Sequence, residues 1–139
     1  MSLPLPLLPK PVRYSAVVVV AAIIIYGSLI TVPETAVDDI RFEFFDPNHW
    51  RHLVAYATLA YTLAYATDHW DLPSGHHAAV IIALATLFGI AMEVGQAFLP
   101  HRSPFLVTDV IINAIGASSV LVWFLLRPYI ELTPHFVRR

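Results

Sequence analysis

Residues 14–30 form one continuous uncharged run, and this run limits the chain to a few classes of fold. Its central part, residues 17–25, is apolar on every face, so a helix here has no side suited to water. A run of about 17 residues is near the lower limit for crossing a bilayer and is too long for one β-strand. It also exceeds the apolar region of a signal peptide and is followed by no A-x-A cleavage site. The sequence therefore predicts a retained membrane-spanning helix.

The composition agrees with a membrane protein and excludes several other classes. Hydrophobic residues make up 58% of the 139 residues and charged residues only 13%, whereas soluble domains carry about 25% charged residues. The absence of cysteine excludes disulfides, thiolate zinc sites and a cysteine nucleophile. The net charge of -2, without a basic stripe, predicts no nucleic-acid partner.

Three further apolar segments follow the first, which predicts an all-α fold, a four-helix transmembrane bundle. These segments are residues 53–67, 78–98 and 104–126. The second is the weakest by hydropathy. The pair Ser103-Pro104 is typical of an N-cap followed by proline at the first helical position, and Arg127-Pro128 predicts the end of the last span.

Four spans divide the chain into an irregular Pro-rich tail (1–13), a membrane domain (14–126) and a C-terminal tail (127–139). An even number of spans places both termini on one side. The tails and the second loop hold five Lys and Arg residues, against three in the first and third loops. By the positive-inside rule this favours cytoplasmic termini in the cytoplasmic membrane.

Polar residues inside the predicted spans form pairs at helical spacing, so the members of each pair share a helix face. The pairs are His52 with Tyr56, Glu93 with Gln96, and Asp109 with Asn113. Arg102 lies in the short turn between the third and fourth spans. In a four-span layout all of these positions lie at the membrane face opposite the termini. Since charged groups in spans usually face a bundle interior or an aqueous cavity, we predict one polar, ligand-binding cavity there.

Purely structural roles explain the same spacing. Arg102 could form a buried ion pair with Glu93 or Asp109, and Gln96 and Asn113 could be interhelical hydrogen-bond partners. A divalent metal could be held by His52, His101, Glu93 and Asp109, but no compact ligand motif such as HExxH supports this. We therefore predict no metal and no cofactor. Adjacent histidines at positions 76 and 77 are typical of a solvated loop.

The polar residues also carry a resemblance to the VanZ-like family of small integral membrane proteins. The pattern is E-x-x-Q, a proline and an arginine in the turn, then D-x-x-x-N-x-x-G: Glu93, Gln96, Pro100, Arg102, Asp109, Asn113 and Gly116. The earlier segment from His52 to Tyr56 resembles the family's H-F-x-x-Y. Where the family usually has Asp-Lys before this histidine, the chain has Asn48-His49, and Leu53 replaces the phenylalanine.

The resemblance implies an envelope function, because the family is named for a protein linked to teicoplanin resistance. We expect the site to bind a membrane lipid with an anionic head group, or a lipid-linked envelope precursor, with Arg102 holding the head group. One alternative is an intramembrane enzyme in which Glu93 or His52 acts as general base, although no nucleophile is identifiable. Others are a structural or assembly subunit, and a transporter that would need to form a homo-oligomer.

Overall fold

A computed structural model of the protein describes residues 2–30, 47–100, 102 and 104–134. Within these residues the fold is mostly helical, with a single pair of strands. The helices are α1 (Lys10–Ile25), α2 (Pro47–Ala66), α3 (Ser74–Ala97), α4 (Val107–Ser118) and α5 (Leu121–Leu126). A π-helical segment, Tyr26–Ile30, continues α1, and a 3-10 turn, Arg127–Tyr129, follows α5. The strands are β1 (Leu3–Leu7) and β2 (Ile130–Pro134).

Three of the described helices are long and apolar enough to cross a membrane. They are Lys10–Ile30, Ser74–Ala97 and Val107–Tyr129. The all-α class is therefore confirmed, and the chain is a helical membrane protein. With its 20 residues, helix α2 is about 30 Å long, but it does not belong to this apolar set.

Helix α2 packs against α1, α3 and α4. The buried core contains several small residues, which allow helices to approach closely. Its fully buried members include Ala60, Ala64, Ile81, Ala85, Ala117 and Val120. Gly116 lies directly against the Leu53 backbone, so the absence of a side chain on this face of α4 allows α2 and α4 to approach closely.

The fourth span begins later than predicted. Helix α4 starts at Val107 with Leu106 as its N-cap, so Pro104 precedes the helix, and Ser103 lies outside the described residues. The Leu106 backbone lies near the carboxylate of Glu93 on α3 and interacts with it electrostatically. A carboxylate is favoured at a helix N-terminus, where backbone N–H groups lack partners. A contact between helices therefore favours this start, which the local capping signals in the sequence do not indicate.

The same span is interrupted between α4 and α5. Ser119 Oγ donates to the Gly116 carbonyl at 2.7 Å, and Tyr61 donates its hydroxyl to the Ser119 carbonyl at 2.8 Å. Back-bonding serines bend helices in this way. The interruption lies at Ser119 and Val120, within a span that otherwise continues to Tyr129.

The prediction that His76 and His77 belong to a loop is wrong, since α3 begins at Ser74, although His76 is exposed to solvent as predicted. His77 is buried, and its Nε2 lies 2.8 Å from Thr67 Oγ1. The Trp70 ring stacks on the imidazole at 5.7 Å between centroids. Tertiary packing therefore extends the helix by one turn before its apolar part.

Residues Leu3–Leu7 form a strand, so the prediction of an irregular N-terminal tail is wrong for them. They pair in parallel with β2, from Leu3 opposite Ile130 to Leu7 opposite Pro134. The two prolines inside β1 are two residues apart, so both missing N–H groups lie on one edge of the strand. This pairing requires a partner far along the chain, which local composition does not reveal. The division into a membrane domain and two tails stays a prediction.

Polar contacts hold the terminal end of the bundle together. The Tyr65 hydroxyl donates to the Pro6 carbonyl at 2.7 Å and accepts the Leu8 N–H at 2.9 Å. Arg13 donates from Nη1 to the Tyr65 carbonyl at 2.9 Å. Arg127 forms a bidentate salt bridge with Asp68, in which Nε donates to Oδ1 at 2.8 Å and Nη2 donates to Oδ2 at 3.2 Å. Both termini of the described chain therefore lie at the same end of the bundle.

Candidate functional site

Polar side chains from three helices meet at the end of the bundle opposite the termini. His52 comes from the first turns of α2, Glu93 from the last turns of α3, and Asp109 and Asn113 from the start of α4. His49, one turn before His52, reaches the same carboxylate as His52. We call these five residues, His49, His52, Glu93, Asp109 and Asn113, the acid–histidine cluster.

The His52 imidazole is the centre of the cluster. Its Nδ1 lies 2.9 Å from Asn113 Oδ1 and 4.0 Å from Glu93 Oε1. Its Nε2 lies 3.8 Å from Asp109 Oδ2. The Tyr56 ring, which is buried, is nearly parallel to the imidazole at 6.4 Å between centroids. The structure thus brings together five of the seven predicted binding residues.

Within the part of the chain that the structure describes, the cluster is closely packed and does not form the open cavity that the sequence predicts. Glu93, Asp109 and Asn113 are 1%, 3% and 0% exposed. The side chains of His52 and His49 are 14% and 30% exposed, so the cluster reaches the surface on the histidine side.

Glycine explains this tight packing. A Cβ atom on Gly89 would lie 2.8 Å from Asn113 Nδ2 and 3.1 Å from the Tyr56 ring. The absence of a side chain on α3 therefore leaves the space that Asn113 and Tyr56 fill.

Gln96 and Arg102 lie apart from the cluster. Gln96 Nε2 donates to the Ser28 carbonyl at 3.1 Å, and Arg102 Nη2 donates to the Gly27 carbonyl at 3.3 Å. Both acceptors belong to the π-helical end of α1. Among the described residues, Arg102 therefore contacts backbone rather than Glu93 or Asp109, so the predicted buried ion pair is not formed with either acid. The predicted site consists of two neighbouring groups.

His49 is a member of the cluster that is not among the residues predicted from the sequence. Its Nε2 lies 3.6 Å from Asp109 Oδ1. The signal was present, because His49 and His52 are three residues apart and share a face of α2. His101, a further candidate for metal binding, lies outside the described residues.

A groove runs along the other side of α2. It has a volume of about 470 Å³. Its lining residues recur at helical spacing: Leu53, Val54, Ala57, Thr58, Tyr61, Thr62 and Tyr65. This periodicity places the groove on the face of α2 that points away from His52 and Tyr56. The groove and the cluster are therefore separate features.

Comparisons of the chain with models of known protein families, with curated proteins and with solved structures give no match. The resemblance to the VanZ-like family therefore stays a prediction. The geometry itself supports two kinds of chemistry. An imidazole beside two buried carboxylates can move a proton, and an arginine in the turn between two spans can hold an anion.

Proposed function

We propose that this chain is a VanZ-like integral membrane protein of the cell envelope that binds an anionic lipid or a lipid-linked envelope precursor. The observation that supports this proposal is the collection of buried charged residues at one end of the bundle. Ionisable residues inside membrane helices are energetically unfavourable in the bilayer and usually have a function. In this proposal the lipid head group binds at that end of the bundle. Binding of an envelope precursor would connect the protein with teicoplanin resistance.

Arg102 is the residue that we assign to the head group. It is half-buried, and among the residues that the structure describes its guanidinium makes one hydrogen bond, from Nη2 to the Gly27 carbonyl. A guanidinium has five N–H donors in a fork that fits phosphate or carboxylate, so one contact leaves donors for an anion. Gln96 donates to the carbonyl of the next residue, Ser28, and so contacts the same segment at the end of α1.

We further propose that α2 is a fourth span and that both termini are cytoplasmic. The length of α2 supports the first point, together with its packing against α1, α3 and α4. The parallel pairing of β1 with β2 supports an even number of crossings, because it joins the two ends of the chain. The excess of Lys and Arg in the tails and second loop supports the orientation.

The variant Arg102→Gln is expected to lose the bound lipid and keep its fold. Glutamine retains an N–H donor for the Gly27 carbonyl but removes the charge. A charge-assisted hydrogen bond contributes about 1.5–3 kcal/mol, so retention of anionic lipid is expected to fall about tenfold or more. Native mass spectrometry of the purified wild-type and variant proteins measures the lipid that each retains.

The matched control is Lys10→Gln, which removes an exposed cation at the other end of the bundle. We expect it to retain lipid as the wild type does. Equal retention by Arg102→Gln and the wild type would contradict the assignment of Arg102. A wild-type protein that retains no anionic lipid would contradict the proposed function itself.

The acid–histidine cluster favours a second candidate function, hydrolysis of a phosphate ester on such a lipid. Glu93 would take a proton from the attacking water, and Arg102 would stabilise the developing charge. Release of inorganic phosphate from lipid phosphates by the purified protein is the measurement. Removing a general base typically lowers the rate about 10²–10⁴-fold, so Glu93→Gln is expected to be inactive. Turnover that persists in Glu93→Gln would contradict this candidate.

A further inference from the structure

We propose that the acid–histidine cluster is a binding site for one divalent transition-metal ion, with His52, Glu93 and Asp109 as ligands. One ligand atom from each of these residues lies within 4.8 Å of the other two. The proposal concerns the cluster alone and does not depend on lipid binding. It differs from the prediction from sequence, in which the absence of a compact ligand motif indicated no metal.

The separations in the cluster are close to those that a metal requires. Metal–ligand bonds to imidazole nitrogen and carboxylate oxygen are about 2.0–2.2 Å long, so two ligand atoms on one ion lie roughly 3–4 Å apart. His52 Nε2 and Asp109 Oδ2 are 3.8 Å apart, which lies within this range and exceeds hydrogen-bond length. Glu93 Oε1 lies 4.0 Å from the other ring nitrogen, Nδ1. The three ligand atoms lie within 4.8 Å of one another, so the Glu93 carboxylate would move closer to Nε2 when an ion binds.

The contact between His52 and Asn113 prepares the imidazole for a metal. When Nδ1 carries the ring proton and donates it to Asn113 Oδ1 at 2.9 Å, Nε2 presents a lone pair. That lone pair faces the Asp109 carboxylate, so two hydrogen-bond acceptors, Nε2 and a carboxylate oxygen, lie opposite each other with no proton between them. A cation between them removes this conflict. Metal-ligating histidines usually donate their second N–H to an oxygen in this way.

The two carboxylates give an independent reason for a bound cation. Glu93 and Asp109 are both almost fully buried. Oxygen Oδ1 of Asp109 is buried and has no hydrogen-bond partner among the described residues. Buried charges are normally paired or coordinate metals, because an isolated buried charge is strongly unfavourable. A divalent ion would balance both acids at once.

The ligand set indicates the class of ion. One imidazole and two carboxylates suit zinc and manganese, whereas an all-oxygen site would suit magnesium or calcium. His49 Nε2, 3.6 Å from Asp109 Oδ1, would orient that carboxylate as an outer partner. The histidine side is also the exposed side, and this gives the ion an entry path.

The test uses purified, tag-free full-length protein in detergent, treated with a chelator and then titrated with ZnCl₂ or MnCl₂. We expect one ion per chain by calorimetry and a higher Tm with the ion present. Mutation of an outer partner of a metal ligand typically lowers metal affinity 10–100-fold, and loss of a ligand itself should lower it further. Asp109→Asn is therefore expected to weaken ion binding by more than about 100-fold. Glu93→Gln should behave similarly.

The matched control is Asp68→Asn, which removes a carboxylate paired with Arg127 at the other end of the bundle. It should lower Tm in the absence of metal but keep ion binding at wild-type affinity. A folding defect in the ligand variants is distinguished by their Tm without metal, which we expect to equal or exceed that of the wild type because one buried charge is removed. No binding by the wild type, or equal binding by Asp109→Asn, would overturn the proposal.

Discussion

Replacing Gly116 with alanine is expected to lower the free energy of unfolding by about 2–3 kcal/mol, as overpacking does in tight cores. The added Cβ would overlap the Leu53 carbonyl oxygen and would lie 3.1 Å from the Leu53 Cα. Both are backbone atoms, so no side-chain rotation relieves the overlap. Helices α2 and α4 would have to separate, and the contact between His52 and Asn113 depends on their spacing. Thermal unfolding in detergent measures the effect.

Gly75→Ala is the control for this prediction, because nothing lies within 4 Å of a Cβ at that position. Gly75 is in the first turn of α3, where alanine is the better helix former. We expect Tm to stay equal or to rise slightly. Equal losses in the two variants would show that the close approach of α2 and α4 does not depend on Gly116.

Replacing Arg13 with methionine is expected to lower the free energy of unfolding by about 1.5–3 kcal/mol, the range for losing a hydrogen bond to a charged group. Arg13 is buried in the first turns of α1. It donates to the Tyr65 carbonyl at 2.9 Å, and its guanidinium lies 5.8 Å from the centroid of the Tyr65 ring. Methionine fills similar space but donates no hydrogen bond, so this carbonyl near the C-terminus of α2 loses its partner.

Lys10→Met provides the matched control, since Lys10 is an exposed cation on the same helix. Surface substitutions usually change stability by less than about 0.5 kcal/mol. A denaturant titration monitored by tryptophan fluorescence compares the two variants. If Arg13→Met were as stable as Lys10→Met, the link between α1 and α2 would have to depend on apolar packing alone.

The features that the sequence predicts well are those with a local period. The uncharged run at 14–30 and the pairs at three- and four-residue spacing depend only on helix geometry. Their placement at one end follows from the alternating direction of consecutive helices. This is why His52, Glu93, Asp109 and Asn113 meet as expected.

The features that the sequence does not predict depend on distant partners. Arg102 binds a carbonyl in the π-helical segment that ends α1, and residues 26–30 carry no signal for that segment or for its distant partner. The buried position of His77 depends on Trp70 and Phe124. In each case tertiary packing determines the environment of a residue whose local pattern is ambiguous.

The pairing of β1 with β2 has a consequence for the order of folding. The hydrogen bond from Ser2 to Glu131 next to this pairing joins residues 129 positions apart, so its formation closes almost the whole chain into a loop. The loss of entropy grows with the logarithm of loop length, and packed helices reduce it by holding the ends together. We therefore expect this sheet to form after the bundle and to open before it, so that amide exchange in Leu5 and Leu132 reports partial unfolding first.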